Sequence, residues 1–185
     1  MRNQREVFTM KIGRPSPPFR LPALVEGTLT YLDSARFKGR CVALCFLPPL
    51  GLLESAVLER YSPIFDQQKA DLLGIVPENA FFSGTWHRWI WPNGLILLSD
   101  PLGRLSRSFG VSHRPAPSRC QSFVIDPEGI LRYHLVHDLN GRGMRALLEI
   151  LKATASASHG QEAPSDQSGT DAEGRRLIGT AKEPS

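Results

Sequence analysis

Three cysteines offer the most chemistry in this chain: Cys41, Cys45 and Cys120. A thiol reacts as its thiolate, which near neutral pH needs a cation, a hydrogen-bond donor or a helix N-terminus beside it. Cys41 and Cys45 lie four apart in RCVALCFL, a continuous apolar run of strand length. On a strand they face the same side, about 13 Å apart at roughly 3.3 Å per residue. A disulfide needs Cα atoms within about 7 Å, so these two cannot pair while the strand stands. They read as small buried hydrophobes. Cys120 follows Arg119, whose charge would make it a mildly acidic thiol. The plainer reading is a half-buried cysteine without a task. His134 and His137, in RYHLVHD, are three apart, which on a strand sends them to opposite faces and argues against a shared metal. There is no CxxC and no zinc-finger spacing, and an odd, small number of cysteines argues against a disulfide framework. Neither a metal nor a cofactor is expected.

A second stretch with chemical potential is CFLPPLGLLES, residues 45–55. It reads as a buried strand running through a proline turn into a helix. Thiol enzymes place a reactive cysteine at such a junction, where the helix N-terminus stabilises the thiolate. Here the junction holds Leu, Gly and Leu, and the nearest cysteine is upstream on the strand.

The elements that would position these residues alternate between about 11 and 153. TLTYLDSARFKG offers a short strand and a surface turn. RCVALCFL is a central buried strand, with 41–47 its expected span. LLESAVLERYSPIFDQQKA carries apolar residues at helical spacing, with Pro63 expected to kink or restart the helix. DLLGIVPE is the next buried strand, FFSGTWHRWIW suits an aromatic-packed helix, LILLSDPLG is a short strand, and RLSRSFGV a short helix stopped by Gly110. CQSFVIDPEGILRYHLVHD is the clearest local signal: two strands, 123–126 and 130–135, around Asp126-Pro127-Glu128-Gly129. GRGMRALLEILKAT closes the domain as an amphipathic helix. The plan is an α/β three-layer sandwich whose central sheet is mixed, because a hairpin contributes an antiparallel strand.

Composition bounds the rest. The 185 residues are 41% hydrophobic, enough for one core, and no run approaches the ~18 apolar residues of a membrane span. Residues 1–10 read as a loose arm, 11–154 as the folded domain and 155–185 as a disordered polar tail with only Leu177 and Ile178 large and apolar. The net charge of +4 is scattered, without a basic cluster or interleaved aromatics, so neither nucleic acid nor membrane is an expected partner. The charged N-terminus lacks the apolar stretch of a signal peptide, and the cytoplasm is the expected compartment.

In this order, five segments resemble the peroxiredoxin (alkyl hydroperoxide reductase / thiol-specific antioxidant) branch of the thioredoxin fold. GRPSPPFRLPAL is similar to the family's opening Gly-x-x-Ala-Pro-x-Phe-x-Leu, with Ser16 in the alanine position. LTYLDSARFKGRCVALCFLP is similar to its second strand, Gly-Lys turn and central strand. LLSDPLGRLSRSFGV is similar to its Asp-Pro segment, with Phe109 for the usual tyrosine. FVIDPEGILRYH is similar to its hairpin, and GRGMRALLEILKA to its last helix.

The resemblance implies an antioxidant oxidoreductase acting on hydroperoxides, and often a homodimer, with Trp86, Trp89 and Trp91 a candidate interface. It also implies a Pro-x-x-x-Thr-x-x-Cys motif at the start of a helix. Pro48 or Pro49 supplies the proline. Counted from Pro48, the threonine falls on Leu52 and the cysteine on Ser55; in a shortened loop the cysteine falls on Gly51. Either way the peroxide-attacking thiol is absent, and serine does not replace it. The family's arginine three residues before the hairpin phenylalanine falls on Cys120, with Arg119 one residue out and therefore on the other face. The sequence thus predicts a non-catalytic interaction or regulatory protein with an unnamed protein partner. The alternative is a thiol-dependent hydroperoxide reductase, or another thiol redox enzyme, using Cys120.

Overall fold

The computed structural model describes residues 10–48, 52–76, 95–111 and 119–159. Seven strands form one mixed sheet: β1 (Arg20–Val25), β2 (Thr28–Asp33), β3 (Cys41–Phe46), β4 (Ala70–Val76), β5 (Leu95–Ser99), β6 (Arg119–Ile125) and β7 (Leu131–Asp138), in spatial order β2-β1-β5-β4-β3-β6-β7. The helices are α1 (Leu52–Gln67), α2 (Arg104–Ser108) and α3 (Gly141–His159). Every residue of β3 is buried, because β3 is paired on both edges: parallel to β4, antiparallel to β6.

Two apolar layers sandwich the sheet. On one face Cys41, Cys45 and Cys120 pack with Leu58, Tyr61 and Phe65 of α1 and Met144, Leu147 and Leu151 of α3. On the other, Val42, Leu44, Phe46 and Phe123 pack with Leu105 and Phe109 at α2 and Phe37 of a 3-10 turn at Ser34–Phe37. This alternation along β3 and β6 is the two-residue period of a strand, and it makes the α/β three-layer sandwich. The β6–β7 hairpin turns at Asp126–Gly129. The Asp126 carboxylate accepts from the Ile130 N–H at 2.8 Å and pairs with Arg132, and Gly129 takes the left-handed φ of +82° that the turn demands.

The structure departs from the sequence reading in three places. RLPALV forms β1, held by β2 and β5 in spite of Pro22. Helix α1 runs through Pro63 without a break. The carbonyl that loses its partner there belongs to Glu59, an exposed residue within reach of water. Helix α3 continues past Thr154 to His159, with hydroxyls of Thr154, Ser156 and Ser158 each bonding the carbonyl four residues back. The expected helix FFSGTWHRWIW, with the three tryptophans, lies outside the described residues.

Candidate functional site

The carboxyl end of β3, where the chain passes toward α1, brings thiol and imidazole together. Three adjacent strands present four side chains to one face. Cys45 of β3 stands opposite Ser122 of β6, and Cys120 of β6 stands opposite His137 of β7. The Ser122 hydroxyl is the hub. It lies 3.2 Å from Cys45 Sγ, 3.5 Å from Cys120 Sγ and 2.8 Å from His137 Nε2. His137 Nδ1 lies 3.0 Å from the Asp138 carbonyl oxygen. That carbonyl can only accept, so Nδ1 carries a proton. The Ser122 O–H donates to Cys45 Sγ, and its oxygen is left to accept from the Cys120 thiol and, in the imidazolium, from His137 Nε2. The result is a continuous path from sulfur through Ser122 to His137.

The electrostatics separate the three thiols. Hydrogen bonding from Cys45 holds the Cys120 thiol well below its usual range in spite of burial, with further help from His137 and Ser122. The same contact, together with burial, pushes Cys45 up. Burial works against the His137 imidazolium, but contact with Cys120 and the Asp138 carbonyl leaves its pKa raised overall. Cys41, at the other end of β3, is pushed up to about 11 by burial and by the charges of Asp126 and Glu128. His134 points to the opposite face from His137 and stacks on Phe123, with ring centroids 4.3 Å apart. Among the described residues no group of three His, Cys, Asp or Glu side chains is arranged to hold a metal.

The other sequence-predicted positions are less gathered. Pro48 is buried at the end of β3, Leu52 is the first residue of α1 and Ser55 lies in its first turn; Pro49 and Gly51 lie outside the described residues. Arg119 turns outward to Asp138 at 3.5 Å, while Cys120 is fully buried on the α1 and α3 side. The ladder from Arg119 to Val124 is regular, so nothing there reverses these faces. A groove of about 590 Å³ adjoins the site, lined by Leu53, Glu54 and Val57 of α1 and by Asp138–Gly141, from the last residue of β7 to the first of α3. The sequence points only to the pair Cys41–Cys45; Ser122 and its contacts to Cys45 and Cys120 come from the pairing of β6 with β3. The available signal was the hairpin itself: its first strand had only to be laid beside β3.

No protein-family model matches the chain. A putative peroxiredoxin in a rubredoxin operon of Clostridium pasteurianum is 31% identical over 157 residues, covering 77% of this chain and 88% of the relative. The peroxiredoxin tpx1 of Schizosaccharomyces pombe is 28% identical over 172 residues, covering 86% and 90%. Among solved structures, the AhpC of Enterococcus faecalis superposes with a TM-score of 0.70 at 20% identity over 84% of this chain and 99% of that one. The mitochondrial 2-Cys peroxiredoxin of Plasmodium falciparum does so with a TM-score of 0.69 at 20% identity, covering 83% and 99%.

Proposed function

This chain belongs to the peroxiredoxin family, and we propose that it uses the family's scaffold without the family's loop-borne thiol, as a non-catalytic interaction or regulatory protein. One observation carries the reading: no cysteine stands between Pro48 and Ser55, and every cysteine of the chain is buried on β3 or β6. Fast attack on a peroxide requires a thiolate, a donor that stabilises it and a shaped oxygen pocket in one place. At the start of α1 the first of these is missing. Leu53 is 80% exposed beside the groove at α1, an apolar contact offered to a protein partner. Three free cysteines fit a reducing compartment, which supports a cytoplasmic location. Among the described residues no helix is long and apolar enough to cross a membrane. We also propose a homodimer through the edge strand β7, on which the exposed Tyr133 and Val136 stand on opposite faces of the sheet.

The test is peroxide consumption with a thiol reductant. The intact chain should be no faster than a variant carrying Cys41→Ala, Cys45→Ala and Cys120→Ser. A second reading, thiol-dependent hydroperoxide reduction by Cys120, is favoured by the Cys120–Ser122–His137 contacts. Fast consumption that disappears with Cys120→Ser alone would establish it and remove the first.

A further inference from the structure

We propose that a cavity at the amino end of β3, on the α2 side of the sheet, binds a small organic cation with an apolar body, of the arylalkylamine class. The cavity lies at the other end of β3 from Cys45 and on the opposite face, and it shares no residue with the cluster around Ser122. The inference is therefore independent of whether the chain reduces peroxides.

The cavity is built rather than incidental. Its volume of about 330 Å³ falls inside the ~300–1,000 Å³ of small-ligand sites. Val42, Leu73, Phe37 and Ile125 make an apolar floor, each at most 7% exposed. Pro15, Pro17 and Pro18 form a stiff wall, because each ring fixes its own φ. That wall is tied down along its length. The Ser16 N–H donates to the Gly129 carbonyl at 2.8 Å, the Phe19 N–H to Ser34 Oγ at 3.1 Å, and the Ser34 N–H to the Phe19 carbonyl at 2.9 Å. A wall pinned in this way does not fold onto the floor, so a guest meets a preformed site and loses little affinity to ordering it.

Charge at the mouth sets the class of guest. Three carboxylates, Asp33, Asp126 and Glu128, line it with one cation, Lys38. Asp126 is already satisfied: it accepts from the Ile130 N–H and pairs with Arg132. Asp33 spends Oδ1 on the Ala35 N–H at 2.9 Å, which leaves Oδ2 for a cation. Among the described residues neither Asp33, Glu128 nor Lys38 is in an ion pair, so two carboxylates outweigh one ammonium. Cys41, the residue before Val42, reports the same field: after burial, the charges of Asp126 and Glu128 push its thiol up. The rings of Phe19 and Phe37 also line the cavity, and a ring face attracts a cation where it repels an anion. An ammonium at the mouth makes charge-assisted hydrogen bonds to the carboxylates while its apolar body covers the floor.

The test is methyl NMR on the full-length chain titrated with 2-phenylethylamine, which is protonated at pH 7. The Val42, Leu73 and Ile125 methyls should shift saturably, with a Kd of about 1 mM or tighter for so small a ligand. The neutral 2-phenylethanol should bind about fivefold more weakly, and the anion phenylacetate more weakly still. Asp33→Asn with Glu128→Gln removes both free charges and keeps an oxygen for the Ala35 N–H. This variant should weaken the amine about fivefold and leave the alcohol unchanged, which also serves as its folding control. Either single variant should weaken the amine by a smaller factor. Absence of saturable shifts at the three methyls, or saturable shifts only at the groove between α1 and β7, overturns the proposal. So does equal affinity for amine and alcohol, tighter binding of phenylacetate, or an amine affinity unchanged by the double substitution.

Discussion

Gly143→Ala is the substitution that best probes how the site is built. Gly143 lies in the first turn of α3, where the helix presses against the end of β7. A Cβ there would meet the Asp138 carbonyl oxygen at 2.2 Å and His137 Nδ1 at 2.5 Å, far inside the 3.0 Å that real Cβ contacts respect. The obstacle is backbone, so no rotamer relieves it. Ala should gain about 1 kcal/mol over Gly from helix propensity. Against this, overpacking costs about 1–3 kcal/mol. The displaced carbonyl also accepts from the Asn140 N–H at 2.8 Å and from His137 Nδ1 at 3.0 Å, contacts worth about 1 kcal/mol each. The net is a destabilisation of about 2 kcal/mol, or about 4–8 °C in Tm for a chain of this size. Gly141→Ala is the control. Its Cβ would meet only side-chain atoms, Tyr61 Oη at 3.3 Å and an Arg145 guanidinium nitrogen at 3.7 Å, and its Tm should stay within about 2 °C. Thermal melts followed by far-UV circular dichroism compare the two. A Gly143→Ala protein as stable as the Gly141→Ala protein would refute the close approach of α3 to His137.

Other expectations rest on the same geometry. Asp100→Ala should lower stability by about 2–3 kcal/mol in denaturant titration, because the buried carboxylate accepts from the Arg104 N–H, the Ser106 N–H and the Ser106 hydroxyl at 2.8–2.9 Å. Cys41 should resist alkylation in the folded chain until the pH approaches about 11. Because the unfolded thiol ionises first, at about 9.0, Cys41 should also subtract stability as pH rises from about 9 to about 11; a melting temperature flat across that window in the wild type but not in Cys41→Ala would contradict this. Leu52→Thr with Ser55→Cys should restore at most weak peroxide reduction, since Arg119 faces Asp138 and Cys120 occupies the inward position; fast turnover would show that the loop had lost only side chains. Truncation after Thr154, the proposed domain boundary, removes the last turn of α3 together with residues 160–185 and should shift Tm by less than about 4 °C.

Much of this protein is written locally. The buried run at 41–46 and the Asp-Pro-Glu-Gly turn specify β3 and the hairpin because a strand needs only its own apolar residues and a turn only its own φ values. The strand period alone separates His134 from His137, and counting alone shows that no cysteine stands at the start of α1. The features that escaped were set by neighbours. RLPALV is a strand because β2 and β5 supply its partners, and α3 runs on past its large apolar residues with Thr154 buried and Ala155 packed against the core. The thiol site belongs to this second kind. Cys45 and Ser122 are 77 residues apart, and Ser122 and His137 are 15 apart. Their meeting depends on the register of β6 against β3 and β7, and a slip of one residue would turn Cys120 and Ser122 to the other face. That register follows from Phe123 and Ile125 entering one core while Cys120 and Val124 enter the other, a choice made only when both layers pack at once.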